Sequence, residues 1–259
     1  MPSTSSWKQY WDERNVSTAS DYEVDRGTQQ RDREIERLSN NELLAFIGAG
    51  SSDLVFDAGC GTGGNIMLLQ PSVRRSIAMD YSEAAVERCQ KRLDHNRITN
   101  VEVFQGDVTS IPLPDGSVDR ILCMSVLQYV DDAQLRAAFR EFARILKKDG
   151  VLVLHVKNLA SLYLSTLWLM KRLLRSLGRN TKLEHFRTFH WYVSELQRAG
   201  FSPSDYRSLN IFLLDRMPRK LVLRLQKFEL NHQNHFPFSS KFLRRHGSDL
   251  KIRATLRKH

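Results

Sequence analysis

The stretch Val55-Phe56-Asp57-Ala58-Gly59-Cys60-Gly61-Thr62-Gly63-Gly64, running on into Asn65-Ile66-Met67-Leu68-Leu69, constrains this chain more than any other. Apolar residues, an acid, glycines on alternate positions and a second apolar run are what a buried strand needs to turn sharply into a helix. A residue without a Cβ permits both the tight turn and the close approach of a ligand to the backbone. Residues 76–80 read as a second strand closed by an acid, and Ser82 as the N-cap of a helix reaching about Leu93. Residues 100–105 alternate as a third strand and end at Gly106-Asp107-Val108, while 118–124 are apolar enough for a central fourth. Residues 131–147 carry Leu135, Ala138, Phe139, Phe142, Ile145 and Leu146 at helical spacing, and 151–156 form a fifth strand. Strand and helix alternate five times, which predicts an α/β fold on a doubly wound, mainly parallel sheet.

The flanks differ from this centre. Residues 1–27 are polar and studded with Trp7, Tyr10, Trp11 and Tyr22, and a charged run leads into Leu43, Leu44, Phe46 and Ile47, a helix ending near Gly48 or Gly50. Residues 158–170 carry no charge and are followed by Lys171-Arg172-Leu173-Leu174-Arg175. That run is shorter than the roughly 20 residues a bilayer span needs, and suits either a lid over a substrate pocket or a segment in a membrane interface. Residues 193–199 read as a helix, 201–209 as a sixth strand, 218–231 as a basic amphipathic helix and 248–257 as a final edge strand. The expected organisation is one domain over 1–259. It has an N-terminal helical cap (1–50), a cofactor-binding core (51–157) and helical insertions at 158–192 and 210–247 on the acceptor side.

Of the net charge of +10, the basic part is all C-terminal: from residue 160 onward there are 20 Lys or Arg against 6 Asp or Glu. Such a block attracts phosphates, whether of a small substrate, a lipid head group or nucleic acid. Cys60, Cys89 and Cys123 are far apart and in no metal-ligand spacing, and the pair His232 and His235 lacks further ligands, so no metal is expected. The first residues contain no apolar core of signal-peptide length. These features lead to the expectation of a cytoplasmic protein whose basic part can meet the inner face of the membrane.

In an open α/β sheet, ligands bind beyond the C-terminal strand ends. Asp80 there can accept both hydroxyls of a ribose, with Tyr81 as an aromatic edge; Asp107 can accept from an exocyclic amine, and Val108 can offer its backbone to the same base. Each acid alone could be a cap or a turn residue; three at three strand ends are more specific. Taken with Val118-Asp119-Arg120-Ile121-Leu122-Cys123 and Leu146-Lys147-Lys148-Asp149-Gly150-Val151-Leu152, these residues resemble, over 53–157, the class I S-adenosylmethionine-dependent methyltransferases of small-molecule type. The resemblance implies a Rossmann-like sheet of seven strands, the last antiparallel, and S-adenosyl-L-methionine as cofactor. It places Gly59, Gly61 and Gly63 beside the methionine part, Asp57 towards its amino group, Asp80 on the ribose and Asp107 on the adenine amine. It also places the backbone from Ser125 to Gln128 at the methionine end, and has residues 7–15 fold over the cofactor. The spacing Gly59-x-Gly61-x-Gly63 departs from the G-x-G-x-x-G of nicotinamide dehydrogenases.

Methyl transfer is an in-line displacement, so the protein has to align the acceptor and exclude water. A hydroxyl acceptor also needs a base, for which His185, His190 and Tyr129 are the candidates. His155, inside strand five, reads as structural. The Asn/Asp-Pro-Pro-Tyr and Pro-Cys signatures of base methylation are absent. The expected function is methyl transfer, to oxygen, on a small or lipid-linked anionic acceptor. The alternatives are an RNA methyltransferase whose basic part tracks phosphates, and a scaffold that has lost cofactor binding, against which the intact glycines and acids stand.

Overall fold

The computed structural model of the protein describes residues 4–16, 33–179, 184–209, 224 and 247–257. Seven strands form one sheet: β1 (Leu54–Ala58), β2 (Arg75–Asp80), β3 (Val101–Gln105), β4 (Val118–Met124), β5 (Leu146–Lys157), β6 (Phe201–Leu209) and β7 (Asp249–Leu256). The helices are α1 (Thr4–Val16), α2 (Arg33–Ile47), α3 (Gly64–Leu69), α4 (Glu83–His95), α5 (Asp132–Ile145), α6 (Leu162–Ser176) and α7 (Phe189–Arg198). The sheet order is β3-β2-β1-β4-β5-β7-β6, with β7 antiparallel to both of its neighbours. Strand order reverses between β1 and β4. In an open α/β sheet such a reversal is where the ligand crevice lies, beyond the C-terminal strand ends.

Alternate residues of each strand feed opposite layers. Phe56, Ile121 and Leu154 join Phe139 and Phe142 of α5 and Tyr192 and Leu196 of α7 in one core. Val55, Leu122 and Val153 pack on the other face against Leu43, Phe46 and Ile47 of α2, and Ala78 packs with Cys89 and Leu93 of α4. α2 ends where Gly48 takes φ +59 and its N–H donates to Leu44 O at 3.1 Å.

Three differences from the sequence reading have physical causes. α5, started by a reciprocal capping box between Asp131 and Gln134, stops at Ile145 rather than 147 because Leu146 already pairs with Val118 as the first residue of β5. α7 starts at Phe189, ahead of the expected 193, because the Thr188 hydroxyl caps it by accepting the Trp191 N–H at 3.4 Å. β7 is not an edge strand. It lies between β5 and β6, and the edge falls to β6, whose Pro203 sits at a register shift that only an edge tolerates. Within β7, Lys251 is buried and ion-pairs with Glu42 of α2, which also receives Arg207 at 3.0 Å. The insertion expected over 210–247, with its helix at 218–231 and with His232 and His235, lies outside the described residues apart from Arg224 and Gly247. Among the described residues no helix is long and apolar enough to cross a membrane.

Candidate active site

The turn after β1 is built from three glycines with φ of +85, +55 and +87 at Gly59, Gly61 and Gly63. The N–H groups of Gly59 and Cys60 both donate to Met79 O, at 2.7 and 3.0 Å, and fold the turn against the end of β2. A Cβ on Gly59 would come within 2.1 Å of Val126 Cγ2, so the loop after β4 closes directly on this glycine. Asp57, the next-to-last residue of β1, is fully buried.

Asp80 ties the turn to the next loop. Its Oδ2 accepts the Gly61 N–H at 2.8 Å and its Oδ1 the Ser82 N–H at 2.9 Å. Asp107 uses Oδ1 alone for its own turn, accepting the N–H and the hydroxyl of Thr109, both at 2.8 Å. Tyr81 is exposed, Val108 buried. Asp80 borders the turn and already takes the Gly61 N–H, while Arg92 donates to the Thr62 carbonyl at 3.4 Å. A carboxylate held there suits a ligand that presents hydroxyls or amines.

α1 bridges the two sides of the crevice. Ser82 Oγ donates to Asp12 Oδ1 at 2.7 Å, and Arg88 donates to the Asn15 carbonyl at 3.0 Å, fixing α1 to the start of α4. Trp7 and Trp11 pack on Tyr129 in the loop after β4, with ring centroids 4.8 and 5.3 Å apart.

The wall beyond β4 depends on Arg187, which is buried. Its guanidinium donates to Asp132 Oδ1 (2.8 Å) and to the carbonyls of Leu127 (2.9 Å), Val130 (2.8 Å) and His185 (3.0 Å). The His185 N–H donates to Gln128 O at 2.7 Å, and Glu184 pairs with Lys171 of α6 at 2.8 Å. Segment 184–187 is thereby clamped against the loop after β4. Of the three base candidates, Tyr129 and His185 come to this loop, while His190 is exposed in the first turn of α7. Burial pushes the Tyr129 phenol up to about 12, so it stays protonated near neutrality. Burial, aided by Arg187, lowers the His185 imidazole and keeps it neutral there. Ser125 follows β4 with φ +60 beside Val126. Sequence reasoning missed Arg187, since one more arginine in a basic stretch looks like a solvated charge.

On the outside, α6 buries Leu164 and leaves Leu169, Met170, Leu173 and Leu177 between 52% and 71% exposed, beside the exposed Arg172 and Arg175.

A sheet of this order with β7 reversed, a glycine turn after β1 and an acid after β2 is that of the class I S-adenosylmethionine-dependent methyltransferases. Residues 55–150 match the family model of the methyltransferase domain. Over 152 residues the chain is 34% identical to a probable S-adenosylmethionine-dependent methyltransferase of Mycobacterium tuberculosis (strain CDC 1551 / Oshkosh), covering 57% of this chain and 48% of the relative. The chain thus spans about half the length of the curated relatives it matches. Geranyl diphosphate C-methyltransferase from Streptomyces coelicolor A3(2), solved with Mg2+, geranyl diphosphate and S-adenosyl-L-homocysteine, superposes with a TM-score of 0.64 at 17% identity, covering 100% of this chain and 99% of that one. Phosphoethanolamine N-methyltransferase 1 of Haemonchus contortus, with phosphoethanolamine and S-adenosylhomocysteine, gives 0.67 at 16%, covering 98% of this chain and 49% of that one. At such identities the likeness shows the fold.

Proposed function

We propose that the protein transfers the methyl group of S-adenosylmethionine to an oxygen of a small or lipid-linked anionic acceptor. The observation that carries the cofactor part is the carboxylate-bordered turn, with the Gly61 N–H held by Asp80 at 2.8 Å. In this reading Asp80 takes the ribose hydroxyls and Asp107 takes the adenine amine with Oδ2. Tyr81 and Val108 border the base, Gly59, Gly61 and Gly63 border the methionine part, and Asp57 lies towards its amino group. The bound cofactor supplies a methyl carbon made electrophilic by the sulfonium. The chain's own part is alignment and dryness: α1 with Trp7, Trp11 and Tyr129 closes one side, and the Arg187 clamp fixes His185 and its neighbours on the other.

Support for an anionic acceptor comes from the basic C-terminal part. The two structural neighbours named above were also solved with a diphosphate and a phosphate monoester. The exposed leucine stripe of α6, flanked by Arg172 and Arg175, has the make-up of a helix that settles into an anionic lipid surface and so reaches a lipid-linked acceptor. Titration calorimetry with S-adenosylhomocysteine tests the cofactor, and the absence of both heat and a thermal shift sinks it. Incubation with methyl-labelled S-adenosylmethionine and an extract separated into lipid, RNA and soluble fractions tests the acceptor. Label entering RNA alone overturns the acceptor proposed. Flotation with anionic vesicles at low salt tests the membrane contact, and no binding removes it.

A further inference from the structure

A chain of polar groups, buried at Ser248 and Asp249 and half-buried at His155 and Ser125, reaches the crevice from the middle of the sheet. Ser125 occupies φ +60, a region that costs a serine about 1 kcal/mol or more and persists only where the surroundings enforce it. Its N–H donates to His155 O at 2.9 Å, and its Oγ lies 2.7 Å from His155 Nδ1. On the far side of the ring, His155 Nε2 is 3.1 Å from Asp249 Oδ1, which also accepts from Lys157 Nζ at 2.5 Å, while Oδ2 accepts from Ser248 Oγ at 2.8 Å. Asp249 is buried, and as a carboxylate it only accepts, so the neutral ring carries its proton on Nε2 and presents Nδ1 as an acceptor. The Ser125 hydroxyl then donates to Nδ1 and keeps its lone pairs for the crevice. Val126, the next residue, is the one that abuts Gly59, which puts this hydroxyl at the methionine end of the cofactor site.

We propose that Ser125, His155 and Asp249 form the proton relay that deprotonates a hydroxyl acceptor during methyl transfer. This rests on the reading of the protein as an oxygen methyltransferase. The acceptor hydroxyl gives its proton to Ser125 Oγ as the serine's own proton passes to His155 Nδ1. The acceptor oxygen's electron pair forms the bond to the methyl carbon, and the carbon–sulfur bond breaks with its pair moving to sulfur, which becomes a neutral thioether. The imidazolium left on His155 is held by Asp249 until it releases the proton to solvent. Ser125 is the catalytic residue of this step; His155 and Asp249 act through it.

The groups facing His155 are Asp249 and Lys251 from β7, Lys157 of its own strand, and Glu42 of α2 through its pair with Lys251. Burial lowers the imidazole, Asp249 opposes this, and the two lysines add to the lowering, so the ring is neutral and able to take a proton near pH 7.

The test uses full-length protein labelled with 15N-histidine. The relay requires a neutral His155 with the proton on Nε2 at pH 7, and an Nδ1 resonance that moves in Ser125→Gly, a variant that suits φ +60 and lacks the hydroxyl. An Nδ1–H tautomer, an imidazolium at pH 7, or an Nδ1 resonance unmoved in Ser125→Gly overturns the proposal. Calorimetry with S-adenosylhomocysteine separates the two readings: no binding by the wild type breaks the methyltransferase reading, whereas the relay predicts affinity retained within about threefold in Ser125→Gly and His155→Gln. With the extract fraction that takes up label, both variants should lose about 100-fold in rate and Ser125→Thr should regain part of it. A rate in His155→Gln equal to wild type overturns the relay.

Discussion

Around Gly59 the chain is fixed by its backbone: left-handed glycines, main-chain bonds to Met79, and a neighbour at 2.1 Å from where a Cβ would stand. Around Arg187 the backbone is held by one long side chain that gathers three carbonyls and a carboxylate. The first arrangement admits one geometry and suits a cofactor whose shape is constant. The second can be re-cut by changing a side chain without disturbing the sheet, which suits the acceptor side proposed above.

The largest effect that can break this contrast is at the glycine turn. Gly59→Ala should cost about 3 kcal/mol in urea unfolding, from a left-handed alanine plus overpacking, and adding Val126→Ala should return only the overpacking part. Full recovery in the double variant would show that the backbone conformation is not the constraint. Arg187→Ala should cost about 2 kcal/mol by leaving buried carbonyls without donors, and Arg187→Lys should not restore it, since an ammonium cannot reach four acceptors at once. It should also speed proteolysis near 184–187 while leaving S-adenosylhomocysteine affinity nearly unchanged. Asp107→Asn keeps an oxygen for Thr109 and should weaken S-adenosylhomocysteine binding about tenfold by calorimetry, with little change in stability.

Acid should act between the two regions, at His155 and Asp249. The His155 imidazole is lowered in the folded state, so below about pH 6.5 the unfolded chain binds a proton that the folded one refuses, and stability falls as pH falls. For Asp249, burial pushes the carboxyl up, but His155 and Lys157 outweigh it and hold it far below the usual carboxylate range, so its contribution is present above about pH 4 and lost below. In His155→Gln the slope just below pH 6.5 should shrink in urea midpoints, with His185 carrying the remainder, while the loss below pH 4 persists in part through Lys157. The smallest stability effect belongs to α6: Leu173→Gln with Leu177→Gln should stay within about 0.5 kcal/mol of wild type, yet lose flotation with anionic vesicles.

Much of the cofactor half was legible because its signals are local. Gly59, Gly61 and Gly63 announce a turn, Ser82 announces a cap that the Ala85 N–H fills at 3.2 Å, and Asp80 and Asp107 close strands that end where expected. The surroundings of Arg187 and His155 were not legible for the same physical reason in reverse. Arg187 matters through partners at 127, 130, 132 and 185, and His155 through Ser125 and Asp249; no short window of sequence contains either set. The reading of β7 as an edge came from looking along one strand at a time.

By itself, the sequence determined that strands and helices alternate, where the chain must turn, and which acids stand at the strand ends, because period, glycine and cap are properties of neighbouring residues. Only the tertiary structure decided that β7 enters the sheet between β5 and β6, so that Asp249 arrives at His155 from 94 residues away in the chain. Strand insertion depends on which apolar faces can be buried together, and that is settled by the whole sheet at once.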